Sequence, residues 1–477
     1  MRFPRTKFLL LATALLAAAC SKQPESPPPV LLIAVDGLEW NVMLPLLRAG
    51  ELPHLERLIE RGSAGELRTF QPTLSPIVWT SVATGRTPEA HGIHAFSKPA
   101  PAGTPLEEIQ LFDNSDRRTK ALWNIATDGG RSVAVIGWWM TFPVEPVNGL
   151  MVSQTNSSAQ LAIGYGRNIW KGGFLPGVPG QVWPPGAEAR IVEHAERAAA
   201  ELDAELIETF GTFPYPLTPL GRTLWDNTRW SFRSDSTYLR IAEEALASEK
   251  PHDLVCVYLG NTDVVGHRFW RYYRPDLFRD RPNEAELANL GEVLEASYRW
   301  TDAAIGRLVA AAGDETRIVI VSDHGMYAVN RDKVFDAVNI PADVNSGNHI
   351  TAPSGVWIAA GPDLVDADLP PARSLERDDL SPVATVYDVA PTVLVLLGLP
   401  VGADMDGGVP SALIEPAFLV EQPFRTVPTH DTPEFLAGRE LLEAMVGEGS
   451  SKAQLERLRE LGYIGPDSVE ATIHGEK

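Results

Sequence analysis

Apolar positions along the chain follow two alternating rhythms. Continuous short runs at Val30–Val35, Ser132–Trp138, Asp253–Leu259, Arg317–Val321 and Gly355–Ala360 read as strands buried on both faces. Stretches with helical spacing lie between them: Val42–Arg48, Leu55–Arg61, Val78–Thr84, Thr119–Thr127, Asn283–Ala312 (one long helix or a pair) and Thr392–Leu397. Glu66–Phe70 and Asn148–Ser153 add shorter extended pieces, and Thr385, with Asp388 three residues on, caps the last helix. Alternation of this kind predicts an α/β fold, a mostly parallel sheet covered by helices on both faces. The pattern changes between about 154 and 250. Asn168–Gly186 is rich in Gly, Pro and Trp and reads as irregular, whereas Ala187–Phe210 and Ser236–Ala247 are helical. The expected organisation is a core from 30–153 and 251–412, an insertion or cap at 154–250 and a C-terminal extension at 413–477.

The first residues have a different character. Arg2, Arg5 and Lys7 precede the apolar stretch Phe8–Ala19, which is short for a bilayer span, and Cys20 follows three alanines. With Leu16 upstream, this resembles a bacterial lipobox. The resemblance implies a signal peptide at 1–19, lipid on Cys20 and a Pro-rich tether over 20–29; an ordinary signal peptide cut near Ala19 is the plainer alternative. The corresponding location is the exported face of a bacterial envelope, lipid-anchored through Cys20, at the outer membrane facing the periplasm where the cell has two membranes. Cys256, the other cysteine, sits in an apolar run as a small hydrophobe. The formal net charge of −21 excludes a basic surface for wrapping nucleic acid. An anionic substrate would need local positive charge, which bound dications supply.

Candidate chemistry gathers at the ends of the strand-like runs. Asp36 closes the first, Asp323 and His324 follow Arg317–Val321, Asp263 and His267 follow Asp253–Leu259, and His349 precedes Gly355–Ala360. Ligands of open α/β sheets bind beyond the carboxyl ends of strands. Carboxylate oxygen and neutral imidazole nitrogen are the usual ligands of catalytic zinc. Taken singly, each residue has a plainer reading. Asp36 before Gly37 suits a turn, Asp263 a helix cap, His267 a surface position, and His349 is an ordinary loop residue. Taken together, three Asp and three His divide into two sets and point to a two-metal hydrolase of a phosphorus ester. Ser75, on a strand-to-helix turn, is the candidate nucleophile. Thr73 offers the same hydroxyl chemistry two residues earlier, and a simple N-cap is the structural alternative.

These residues resemble the alkaline phosphatase superfamily, and within it the type I phosphodiesterase/nucleotide pyrophosphatase branch. The matching segments are Ala34-Val35-Asp36-Gly37, Ser81 through Ile93, Asp263 with His267, Ser322-Asp323-His324-Gly325 and Gly347-Asn348-His349. Asp388 to Thr392 and Asp404 to Gly407 resemble its C-terminal stretch. The resemblance implies an alkaline-phosphatase-like fold and two divalent, zinc-like ions. One would be held by Asp36, Asp323, His324 and Ser75, the other by Asp263, His267 and His349. It implies a structural role for His91. It also implies a small-molecule or lipid phosphate ester as substrate, with a phosphonate hydrolase or phosphomonoesterase as the alternative activities. A non-catalytic ligand-binding lipoprotein is the alternative of another class. Two departures stand out: many members carry Thr where this chain has Ser75, and Asn where it has Val78. Oxyanion stabilisation in place of the missing Asn is expected from backbone N–H groups, Thr80 as a substrate-binding residue, the metals or a further side chain. The sulfatase branch would require Arg at the position of Trp79 and is excluded.

Overall fold

The computed structural model describes residues 27–99, 101, 110–160, 168–329, 345–439 and 442. The expected signal peptide and Cys20 lie outside the described residues. Nine strands form the central sheet: β1 (Val30–Val35), β2 (Gly62–Arg68), β3 (Val133–Ile136), β4 (Gly149–Val152), β5 (Val182–Trp183), β6 (Leu254–Leu259), β7 (Arg317–Val321), β8 (Gly355–Ala360) and β9 (Pro382–Thr385). Their spatial order is β9-β2-β8-β7-β1-β6-β3-β4-β5. Only β8 and β5 pair antiparallel to their neighbours.

Period-two alternation builds the layers. Leu31, Ile33 and Val35 of β1 point into one core with Val255 and Val257 of β6 and Ile318 and Ile320 of β7. Helices Trp40–Ala49, Arg229–Leu246, Asn261–Tyr273 and Val293–Ala312 cover that face. Leu32 and Ala34 point the other way, with Cys256 and Tyr258, toward helices Ser75–Thr84, Leu122–Asp128 and Val389–Leu396. The central strands read as unbroken apolar runs because both of their faces are covered.

One segment differs from expectation and another settles an open choice. Asn168–Gly173, expected to be irregular, pairs antiparallel with Thr155–Gln160 as a ribbon. The Asn283–Ala312 stretch is a pair of helices, Glu284–Leu290 and Val293–Ala312. The 154–250 stretch contributes β5 to the sheet edge and the Arg229–Leu246 helix to the main core, where Phe232, Tyr238, Leu239 and Ile241 are buried. Beyond 412 the chain returns to the core. Thr426–Val427 pairs with Val401–Gly402, and buried Arg439 meets Glu145, which also holds buried Arg117 at 2.6 Å.

Candidate metal centre

β1, β6 and β7 run parallel and side by side, so their carboxyl ends share one edge of the sheet. Asp36 follows β1 directly and keeps the alternation of Ala34, which places its carboxylate on the side of Tyr258. Gly37 then turns the chain with φ +66, and a Cβ there would lie 3.0 Å from the Cα and Cβ of Asp263. Close approach of the β1 turn to the Asn261–Tyr273 helix thus requires glycine. Asp263 and His267 stand one turn apart on that helix, with His267 Nε2 3.4 Å from Asp263 Oδ1. The helix start is held by Asp235, a buried carboxylate that accepts from Gly260 N at 3.0 Å and Asn261 N at 2.8 Å. Burial pushes Asp235 up to about 7.

Asp323 and His324 follow β7. Their loop is pinned to the β1 turn by Ser322 Oγ, which accepts from Leu38 N at 2.9 Å, and by buried Glu39, which accepts from Met326 N at 3.0 Å. His349 enters from a short ribbon in which Gly347–Asn348 pairs with Tyr327–Ala328. Its ring stacks on His324 at 3.9 Å, and its Nε2 lies 3.6 Å from Asp263 Oδ1.

All six expected ligands therefore meet. Ligand atoms of Asp263, His267 and His349 lie within 4.8 Å of one another, and so do those of Asp36, Asp263 and His324. Asp323 Oδ2 adds to the second group, 3.2 Å from His324 Nε2. Asp263 thus faces both groups, an overlap that the division into two separate sets does not anticipate.

The polar atoms facing inward lack partners. Asp36 Oδ1, Asp263 Oδ1, Asp323 Oδ2 and His324 Nε2 are buried with no hydrogen bond among the described residues. His267 and His324 each turn Nδ1 to a backbone carbonyl, of Gly347 at 2.9 Å and Gly325 at 3.0 Å. Donation there leaves Nε2 of each ring as a lone pair aimed at carboxylates, acceptor against acceptor. Burial lowers His267 to about 4 and lowers His324; burial and the two other imidazoles hold His349 well below its ordinary value. Burial, then the neighbouring carboxylates, pushes Asp263 and Asp323 well up. Neutral imidazoles beside mutually repelling buried carboxylates form a lining that divalent cations would stabilise. The donor set fits divalent metal.

Ser75 is the first residue of the Ser75–Thr84 helix and is buried. Thr73 is also buried, but its hydroxyl donates to the His349 carbonyl. The hydroxyl of Thr80 donates to the Pro76 carbonyl at 2.6 Å, one turn back in its own helix, so its proton is already committed. Val78 is fully buried in the apolar core. His91 accepts from Ile93 N at 3.1 Å and stands 3.0 Å from Ser81 Oγ, a structural role; burial lowers it to about 3. Sequence reasoning missed two contacts to Asp36. Tyr258 Oη and Trp79 Nε1 both donate to its Oδ2, at 2.6 and 3.1 Å. The only available signal was the even-position alternation shared by Ala34, Asp36 and Tyr258.

Residues 30–389 match the model of the type I phosphodiesterase / nucleotide pyrophosphatase family. The chain belongs to that family. As a family member it is a metal-dependent phosphoester hydrolase, built on a mostly parallel α/β sheet. Among solved structures it is similar to murine ectonucleotide pyrophosphatase/phosphodiesterase 5 (14% identity, 80% of this chain and 97% of that one, TM-score 0.42). It is also similar to a 2-O GAG sulfatase (14%, 85% and 76%, TM-score 0.44) and to phosphonoacetate hydrolase from Sinorhizobium meliloti (16%, 64% and 59%, TM-score 0.38). At these scores none of the three likenesses bears on which ester this family member cleaves. No curated protein matches the sequence.

Proposed function

We propose that the chain is a phosphodiesterase or nucleotide pyrophosphatase with two zinc-like ions, using Ser75 as nucleophile on a small-molecule or lipid phosphate ester. The observation that carries this reading is the cluster of buried, unpartnered carboxylate and imidazole atoms on the carboxyl edge of the sheet. Asp263, His267 and His349 would hold one ion, and Asp36, Asp323 and His324, with the Ser75 oxygen, the other; the position of Asp263 supports its facing both. Bound dications lower the pKa of hydroxyl and water and offset negative charge on phosphoryl and leaving oxygens.

The residues divide the remaining work. Ser75 Oγ gives up its proton, which ends on the leaving oxygen, and forms a bond to phosphorus as the bond to that oxygen breaks, giving a phosphoryl- or nucleotidyl-serine. Water then attacks phosphorus, the Ser75 O–P bond breaks, and the serine oxygen regains its proton. Thr73 is better suited to tethering the His349 loop than to attack, because its hydroxyl is spent on that carbonyl. The Ile77 and Val78 amides donate to the Leu74 carbonyl at 2.9 and 3.0 Å, and Pro76 has no N–H. These groups leave little of the helix start for an oxyanion. With Thr80 also committed, that task would fall mainly to the charge of ions held by Asp36, Asp263, Asp323, His267, His324 and His349.

Rates on aryl phosphodiester, aryl phosphomonoester and phosphonate substrates with metal-loaded protein test the reading. The diester is expected to turn over fastest, and Ser75→Ala to lower its hydrolysis by about 10⁴-fold or more, as loss of a nucleophile does. Near-normal turnover in folded Ser75→Ala, with loss in Thr73→Val, would transfer the role to Thr73. The basic and apolar segments before Cys20, and the tether ending where β1 begins, support export and lipid anchoring. Release of a Cys20→Ala protein from the membrane fraction tests this.

A further inference from the structure

Asp36 uses its two oxygens differently. Oδ2 accepts from the Tyr258 hydroxyl at 2.6 Å and from Trp79 Nε1 at 3.1 Å, whereas Oδ1 is buried with no hydrogen bond and lies 3.4 Å from His324 Nε2. A carboxylate rotates as one plane, so two donors on one oxygen fix the direction in which the other points. The donors are themselves held. The Trp79 ring meets Tyr258 edge-on at 5.6 Å and Trp138 edge-on at 5.4 Å, and Trp138 Nε1 donates to the Trp79 carbonyl at 3.2 Å. Trp79 and Trp138 are fully buried, and Tyr258 is 5% exposed. Trp79 also stands four residues after Ser75 on the same helix, so the two project from one face of it.

We propose that Tyr258 and Trp79 are positioning residues that clamp Asp36 as a single-oxygen metal ligand, and that Trp79 sets the distance between that ligand and the Ser75 hydroxyl through one rigid helix turn. The inference rests on the assignment of Asp36 to a metal site. A clamped carboxylate presents one oxygen at a fixed angle, which suits a small four-coordinate ion such as zinc. Larger ions that take both oxygens of a carboxylate suit it poorly. Trp79 occupies a helix position that faces the core in any event, and here its ring nitrogen turns that packing into ligand control.

The experiment is zinc titration of the chelator-stripped chain by competition with a chromophoric chelator, for wild type, Tyr258→Phe, Trp79→Phe and Asp36→Asn. Loss of an outer partner of a metal ligand costs ~10–100-fold in affinity. In Tyr258→Phe and Trp79→Phe one of two zinc affinities is expected to fall by about that factor while the other holds. Calcium or manganese affinity at the weakened site is expected to fall less. In Trp79→Phe, kcat for the diester is expected to drop more than KM rises. Should Trp79→Phe fail to fold, Tyr258→Phe, which deletes one oxygen, decides alone. Unchanged zinc affinities in Tyr258→Phe, with one site lost in Asp36→Asn, would overturn the clamp and leave the metal reading intact. Two full-affinity zinc sites in Asp36→Asn would overturn both.

Discussion

Asp263→Asn is expected to change stability in opposite directions with and without metal. The side chain of Asp263 is mostly buried, and its ligand atom lies within 4.8 Å of those of Asp36 and His324 in one group and of His267 and His349 in the other. Two carboxylates about 5 Å apart repel by about 3 kcal/mol at an effective dielectric near 20. Attraction to Arg268 offsets part of this. Asparagine keeps the volume and one oxygen but removes the charge, so the net gain in the stripped protein is about 1–3 kcal/mol. For a chain this long that raises Tm by about 1–3 °C. The sign with pH follows from linkage. Burial and Asp36 hold the folded carboxyl well above its ordinary range, so wild type has this stability at low pH and loses it as pH rises through the folded value. The advantage of the variant in chelator is therefore expected to grow as pH rises above the ordinary carboxylate range. In excess zinc the order reverses, because wild type gains about 2.7 kcal/mol per site at a hundredfold excess over Kd and the variant has lost a ligand facing both groups. Thermal melts in EDTA and in zinc, at several pH values, read this crossing directly. A variant that melts below wild type by the same margin in both solutions, at every pH, would refute the repulsion.

Three further outcomes follow from local geometry. A Cβ on Gly325 would lie 1.9 Å from Glu39 Oε2 and 2.9 Å from Pro353 Cγ, so Gly325→Ala is expected to cost about 2–4 kcal/mol in denaturant melts and to weaken zinc binding through the displaced Asp323–His324 loop. Thr73→Val removes the donor to the His349 carbonyl, and is expected to weaken the site of Asp263, His267 and His349 severalfold in zinc titration while leaving a Ser75-dependent rate at saturating zinc. Asp235, pushed up to about 7, keeps a proton on folding that the unfolded chain releases near pH 4. Wild-type stability relative to Asp235→Asn is therefore expected to fall between about pH 4 and 7, by a few kcal/mol, and to level off above, as read by urea melts in chelator.

Asp36, Asp323 and His324 were legible as candidate ligands because each follows a continuous apolar run, and Asp263 and His267 because they lie just after another; His349, a loop residue, joined them only through the joint pattern. A continuous apolar run marks a buried strand, and the residue after it stands at the carboxyl edge of the sheet. Alternation of runs and helical stretches sufficed for the architecture for the same reason. Tertiary packing decided what local patterns do not encode. Asp263 lies against the β1 turn because Gly37 lets two distant segments touch. Asp36 has one free oxygen because residues 43 and 222 positions away donate to the other. Thr80, chosen for its hydroxyl, spends it within its own helix, since a buried donor takes the nearest carbonyl. The Arg229–Leu246 helix, expected within a cap, is core because its apolar face has the sheet to cover. Sequence determined which chemical groups reach the sheet edge; only the folded contacts decided which of their atoms remain unpartnered, and those atoms make the candidate centre.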